Sequence, residues 1–132
     1  MITREADYAV RAMVCLARHS DSAQAVSCMQ LSEGSGVPYR FLRKIVSKLA
    51  AAGLVESRRG RSGGVVLTKT PPAIRLLEVI NAVDRRGTRL NACLTPDDDC
   101  DRRRTCTTRK KLLAVETKLD ELLAGIGLDE LV

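Results

Sequence analysis

Three cysteines, Cys93, Cys100 and Cys106, fall within fourteen residues of this 132-residue chain. Thiolates are soft ligands suited to zinc and to iron–sulfur clusters. The pattern C-x6-C-x5-C is not the paired C-x2-C of a zinc ribbon, and it contains no C-x-x-C redox pair. Ligands spread this widely on one loop can wrap a bulky cluster, whereas a single zinc ion usually takes tighter turns. Arg102, Arg103 and Arg104 favour a thiolate at Cys106, while Asp97, Asp98, Asp99 and Asp101 around Cys100 push the other way. Three chemistries stay open on these residues: an iron–sulfur cluster, a zinc site that stabilises the fold, and a metal-free thiol redox switch. The segment offers no fourth ligand of the usual kind, because the single histidine, His19, lies far upstream. Cys15 and Cys28 stand alone in apolar patterns and read as core, where free cysteine behaves as a small hydrophobe.

The second chemistry is positive charge. The chain carries a net charge of +6. Residues 38–61 hold Arg40, Arg43, Lys44, Lys48, Arg58, Arg59 and Arg61 against Glu56 alone, seven minus one, so this block accounts for the whole excess. The other fifteen basic and fifteen acidic side chains cancel. A localised excess of this kind points to a polyanion, and double-stranded DNA fits best. Aromatic residues are only 2% of the chain, which argues against the stacking platforms of single-strand binders. There is no Ser-His-Asp set and no phosphate-cradling glycine loop opening a helix, so an enzyme is not expected. No stretch approaches the roughly 18 apolar residues of a membrane span, and the N-terminus lacks signal-peptide features. The expected location is the cytoplasm.

The elements that must position these groups are legible from periodicity. Ala6, Ala9, Val10, Met13, Val14 and Ala17 form one stripe of a helix over 4–18, capped by Thr3. A polar loop follows at 20–26. Ser27 caps a short helix over 28–35, stopped by Gly34 and Gly36. Pro38 suits the first position of the next helix, which runs to Ala52 with Gly53 as its stop. Leu42, Ile45, Val46 and Leu49 are its buried stripe; Arg40, Arg43, Lys44, Ser47 and Lys48 lie opposite. Two helices joined by a tight turn, the second basic outside, describe a helix-turn-helix whose outer face enters the major groove. Tyr39, Arg40 and Ser47 are the candidates for base edges.

Two β-prone runs, 54–59 and 65–69, flank Gly60-Arg61-Ser62-Gly63-Gly64. A basic hairpin after a recognition helix is a wing. Arg59 and Arg61, with Arg43, Lys44 and Lys48, are candidates for phosphate or the minor groove, and Ser62 and Gly63 allow close backbone approach. A helix over 74–84 presents Ile74, Leu77, Ile80 and Val83 inward. Residues 87–106 read as irregular, and a last helix over 107–124 carries Leu112, Val115, Leu119, Leu122 and Leu123 as one stripe that suits a second subunit. The fold class is mainly α with a small β-hairpin wing: a winged helix-turn-helix over 1–84, a cluster-binding loop over 85–106, and a dimerisation helix and tail over 107–132.

Nearly the whole chain resembles the IscR/NsrR/RirA regulators, the Rrf-two family. The resemblance is carried by Asp7-Tyr8-Ala9-Val10-Arg11, Ala52-Gly53-Leu54-Val55, the wing Arg59-Gly60-Arg61-Ser62-Gly63-Gly64, Leu77-x-Val-Ile, the three cysteines and the closing Leu128-x-x-Leu-Val. It implies a homodimer with a winged helix-turn-helix and a long crossing dimer helix, a 2Fe–2S or 4Fe–4S cluster on the cysteines, and repression or activation of genes for cluster assembly, iron homeostasis or nitric-oxide stress. IscR-like members carry a histidine three residues after the third cysteine, where this chain has Arg109. The NsrR-like pattern uses an aspartate of the first helix from the other subunit, and Asp7 matches it; a first-turn acid favoured by the helix dipole is the alternative. The first cysteine gap is one residue longer than the commonest spacing. Arg43 replaces a glutamate that tunes operator choice, and Cys28 replaces a leucine.

Overall fold

The computed structural model describes residues 2–22 and 24–132; Ala23, in the expected loop, lies outside them. The order is α1 (Arg4–Arg18), α2 (Cys28–Ser35), α3 (Tyr39–Ala51), β1 (Val55–Arg58), β2 (Gly64–Leu67), α4 (Leu76–Val83) and α5 (Thr107–Gly125), with single helical turns at Pro71–Ala73, Ala92–Leu94 and Leu128–Leu131. No helix among the described residues is long and apolar enough to cross a membrane.

The hydroxyl of Thr3 accepts from the Ala6 N–H at 3.3 Å and starts α1. Helices α2, α3 and α4 and the turn Leu128–Leu131 all pack against α1. Enclosure from several sides buries a broader arc than one stripe: Ala12, Cys15 and Leu16 join Ala6, Ala9, Met13 and Ala17. Val10 and Val14, expected inward, are half-buried.

Ser27 and Gln30 form a reciprocal cap at the start of α2, at 3.2 and 3.0 Å. Gly36 ends that helix in the left-handed region, φ 66°. Pro38 stands one residue outside α3 with ψ 133°; its carbonyl accepts from Phe41 and Leu42 at 2.9 and 3.1 Å. The stripe Leu42, Ile45, Val46 and Leu49 is buried as expected.

Strands β1 and β2 pair antiparallel, Val55 opposite Leu67 and Arg58 opposite Gly64. Val26 and Val65 exchange two further backbone bonds, at 3.0 and 2.7 Å, so the hairpin is rooted on the segment leading into α2. Gly64 permits this approach: its φ is 150°, and a Cβ there would lie 2.4 Å from the Val26 carbonyl oxygen.

Helix α4 starts at Leu76, two residues later than expected. Leu76 donates to Ile126 and Ile74 accepts from Leu128, at 3.0 and 2.9 Å, which holds Ile74 and Arg75 extended just before the helix. Ile74, Val79, Ile80 and Val83 are buried, and Leu77 is half-buried.

Candidate functional site

The outer face of α3 carries the expected cations. Tyr39, Arg40, Arg43, Lys44 and Ser47 are exposed in this structure. Lys48, expected to contact phosphate, has two partners within the chain. Its ammonium donates to Glu5 Oε1 at 2.7 Å and to the Val83 carbonyl at 2.9 Å. It therefore ties α3 to the first turn of α1 and the last turn of α4. Lys44 reaches the same carboxylate more loosely, at 4.0 Å.

The wing projects beside α2. Arg58, Arg59, Arg61 and Ser62 are exposed. Gly63 folds tightly over the strand end, since a Cβ there would lie 2.3 Å from the Arg58 carbonyl oxygen. A cleft of about 750 Å³ separates the wing from the start of α2, lined by Ser27, Met29, Gln30, Arg58, Arg59 and Arg61 among others. Arg58, Met29 and Gln30 thus join the candidate surface. Arg58 belonged to the charge excess, but only the strand register brings it opposite the α2 cap.

The cysteine segment is tethered to α5. The Thr88 hydroxyl donates to Asp120. Glu116, only 2% exposed, accepts from the Arg89 guanidinium and, at 3.2 Å, from the Leu90 N–H. Cys106 caps α5: its sulfur accepts from the Arg109 N–H at 3.4 Å. The Arg109 Nε donates to the Cys93 carbonyl at 3.1 Å. Arg109 thus joins the backbone of the first cysteine to the sulfur of the third. Cys93 and Cys106 are half-buried, and Cys100 is exposed. The donors are right in kind for an iron–sulfur cluster, three soft thiols on one segment. Among the described residues, no group of three or more His, Cys, Asp or Glu side chains is gathered closely enough to hold a metal ion. Asp7 is exposed on α1, 3.7 Å from the Arg11 guanidinium.

Cys15 and Cys28 stand apart from this segment, in or against the core. Burial pushes the Cys15 thiol above its ordinary pKa, and Arg18 opposes the shift.

Residues 2–132 match the family described as "Rrf2: Iron-dependent Transcriptional regulator". The chain is 34% identical over 133 residues to the HTH-type transcriptional regulator IscR of Vibrio cholerae, covering 99% of this chain and 74% of that protein. The solved structure of T. potens IscR superposes with a TM-score of 0.77 at 27% identity, over 99% of this chain and 85% of that one. CymR, the global cysteine regulator of B. subtilis, has the same fold, with a TM-score of 0.79 at 24% identity over 99% and 95% of the two chains. These relatives are transcriptional regulators and not enzymes. The winged helix-turn-helix, its basic outer face and the match along the chain lead to one conclusion: this protein belongs to the Rrf2 family of DNA-binding transcriptional regulators.

Proposed function

We propose that the chain is a homodimeric repressor whose operator affinity is set by an iron–sulfur cluster on Cys93, Cys100 and Cys106, with the partner subunit's Asp7 as the fourth ligand. The observation that carries this reading is the Arg109 bridge, which draws the Cys93 backbone to the Cys106 sulfur at the start of α5. Kinship with regulators named IscR supports the choice of cofactor. When bound, such a cluster supplies iron chemistry responsive to iron supply, nitric oxide or redox state.

The chain's own residues then relate the segment to DNA. The segment leaves α4 just after Val83, whose carbonyl holds Lys48 of the recognition helix. It ends on α5, where Val115 and Leu122 are 55% and 69% exposed and seven residues apart on one helix face. That unpartnered apolar face suits a second copy. A dimer presents two α3 helices to half-sites about one helical turn, roughly 34–36 Å, apart. Tyr39, Arg40 and Ser47 read base edges. Arg43, Lys44, Arg59 and Arg61 take phosphate or the minor groove, and Ser62 and Gly63 let the wing backbone approach.

Anaerobic isolation with iron and sulfide counting, a visible absorption spectrum, and operator titrations of cluster-bound and cluster-free protein at fixed salt test this. Regulatory force requires affinities differing about 5- to 150-fold. Equal affinities would end the sensor reading. A second reading, a metal-free thiol switch, is favoured by the exposure of Cys100 and by thiols that are not gathered. Colourless air-free protein that accepts no iron or sulfide, yet changes DNA affinity on oxidation, would select it.

A further inference from the structure

We infer that Phe41, backed by Tyr8, is a positioning residue that holds the Arg40 guanidinium for reading a guanine in the operator. The inference rests on α3 being the recognition helix.

Phe41 is 41% exposed in the first turn of α3, an unusual place for the chain's single phenylalanine. The Arg40 Cζ lies 4.6 Å from its ring centroid. The Phe41 ring meets that of Tyr8, on α1, with centroids 5.9 Å apart and planes tilted by 38°. Tyr8 is steadied in turn by Arg11, whose Cζ lies 5.6 Å from its ring. Arg11 is itself anchored, with Nε donating to the Ser35 carbonyl at 3.0 Å. Two aromatic rings therefore form a shelf between α1 and α3 with an arginine at each end.

Stacking uses the face of a guanidinium and leaves its edge free. The edge carries parallel N–H groups that match O6 and N7 of guanine in the major groove. A free arginine loses rotamer freedom when it makes that contact; one already held against a ring loses less. Arg40 stands at the N-terminal end of α3, the part of a recognition helix nearest the bases. The shelf thus supplies preorganisation, and the base it favours is guanine.

The test uses the full chain and duplexes that it selects from a random-sequence library, with each selected guanine then replaced in turn at fixed salt. Arg40→Ala should abolish discrimination at one guanine per half-site, a loss of about 10- to 100-fold. Phe41→Leu should weaken discrimination at that same guanine by about 3- to 10-fold, with the slope of log affinity against log salt unchanged. Phe41→Tyr should restore it. Tyr8→Leu should act in the same direction as Phe41→Leu and serves if that variant does not fold. If Arg40→Ala loses the guanine preference while folded Phe41→Leu and Tyr8→Leu keep it, the inference is overturned and the reading of α3 stands. A loss that is uniform across all duplexes and unrestored by Phe41→Tyr makes the shelf merely structural, which also overturns it. If Arg40→Ala alters no position, the reading of α3 fails, and the inference with it.

Discussion

The Lys48 ammonium sits 2.7 Å from the Glu5 carboxylate, binding the third helix to the first across 43 residues of sequence. The same ammonium caps the last turn of α4 through the Val83 carbonyl. A cation near a helix C-terminus is favoured by the helix dipole. One side chain therefore registers three helices at the point where the chain departs toward its cysteines.

Lys48→Met should lower the unfolding free energy by about 1–2 kcal/mol in urea denaturation. A hydrogen bond to a charged group contributes more than a neutral one, and solvent access to both partners moderates the gain. The salt dependence of DNA binding should stay as in the parent. A variant with parental stability and a shallower salt slope would make Lys48 a phosphate ligand instead.

The wing arginines should behave in the opposite way. Arg59→Ala and Arg61→Ala should leave stability within about 0.5 kcal/mol, as exposed substitutions do. Each should reduce the magnitude of the slope of log affinity against log salt by about 0.9, one phosphate's worth. Fluorescence anisotropy titrations at several salt concentrations measure this. Parental slopes would remove the wing from the interface.

Glu116→Leu takes away a buried acceptor shared by Arg89 and the Leu90 N–H. The variant should lose about 2–4 kcal/mol, somewhat less than breaking a fully buried charged pair costs, because Arg89 keeps some solvent. Loosening of residues 88–94 should also speed alkylation of Cys93 relative to Cys15, read by mass spectrometry. A parental alkylation pattern would mean that Glu116 stabilises α5 without holding the cysteine segment.

On α5, Val115→Glu with Leu122→Glu should convert the proposed dimer to monomer in sedimentation at micromolar concentration, because charge is then placed on the exposed apolar face. Far-ultraviolet circular dichroism should remain helical. A double variant that stays dimeric would move the contact to another surface.

Cys15 provides a pH signature. Its thiol is held above the ordinary value by burial, so the folded chain keeps a proton that the unfolded chain releases first. The contribution is fully present below the ordinary thiol pKa and is lost progressively as pH rises from there through the raised folded value. Urea midpoints should fall in that alkaline window, and less so in Cys15→Ala. Identical declines in both proteins would assign the alkaline loss to other groups.

Much of the fold was legible because it rests on local rules. The Ser27–Gln30 cap, the left-handed Gly36 and the Leu42, Ile45, Val46 and Leu49 stripe depend on spacing within one helix or its ends. The hairpin was readable from its glycine-rich tip between two β-prone runs, although its strands are shorter than expected, Val55–Arg58 and Gly64–Leu67. Leu77, expected inward, is half-buried and Val79 is buried, in a helix that starts only after Ile74 has paired with the C-terminal turn.

The apolar stripe of α5 shows where local reasoning ran out. Leu123 is buried and Leu112 and Leu119 are half-buried, yet Val115 and Leu122 face outward. The division arises because residues 88–94 cover one side of the helix and place the charged Glu116 beneath them. Periodicity records which residues are apolar and has no term for a loop returning from 26 residues away.

Amino-acid order by itself determined the helices, their caps, the basic block and the grouping of three thiols, since each depends on neighbours along the chain. Tertiary structure decided that Lys48 meets Glu5, that Arg58 lines the cleft beside the wing, and that Arg109 joins Cys93 to Cys106. Those outcomes depend on which distant groups meet once the backbone is packed, and a charge on a helix face is free to choose its partner only then.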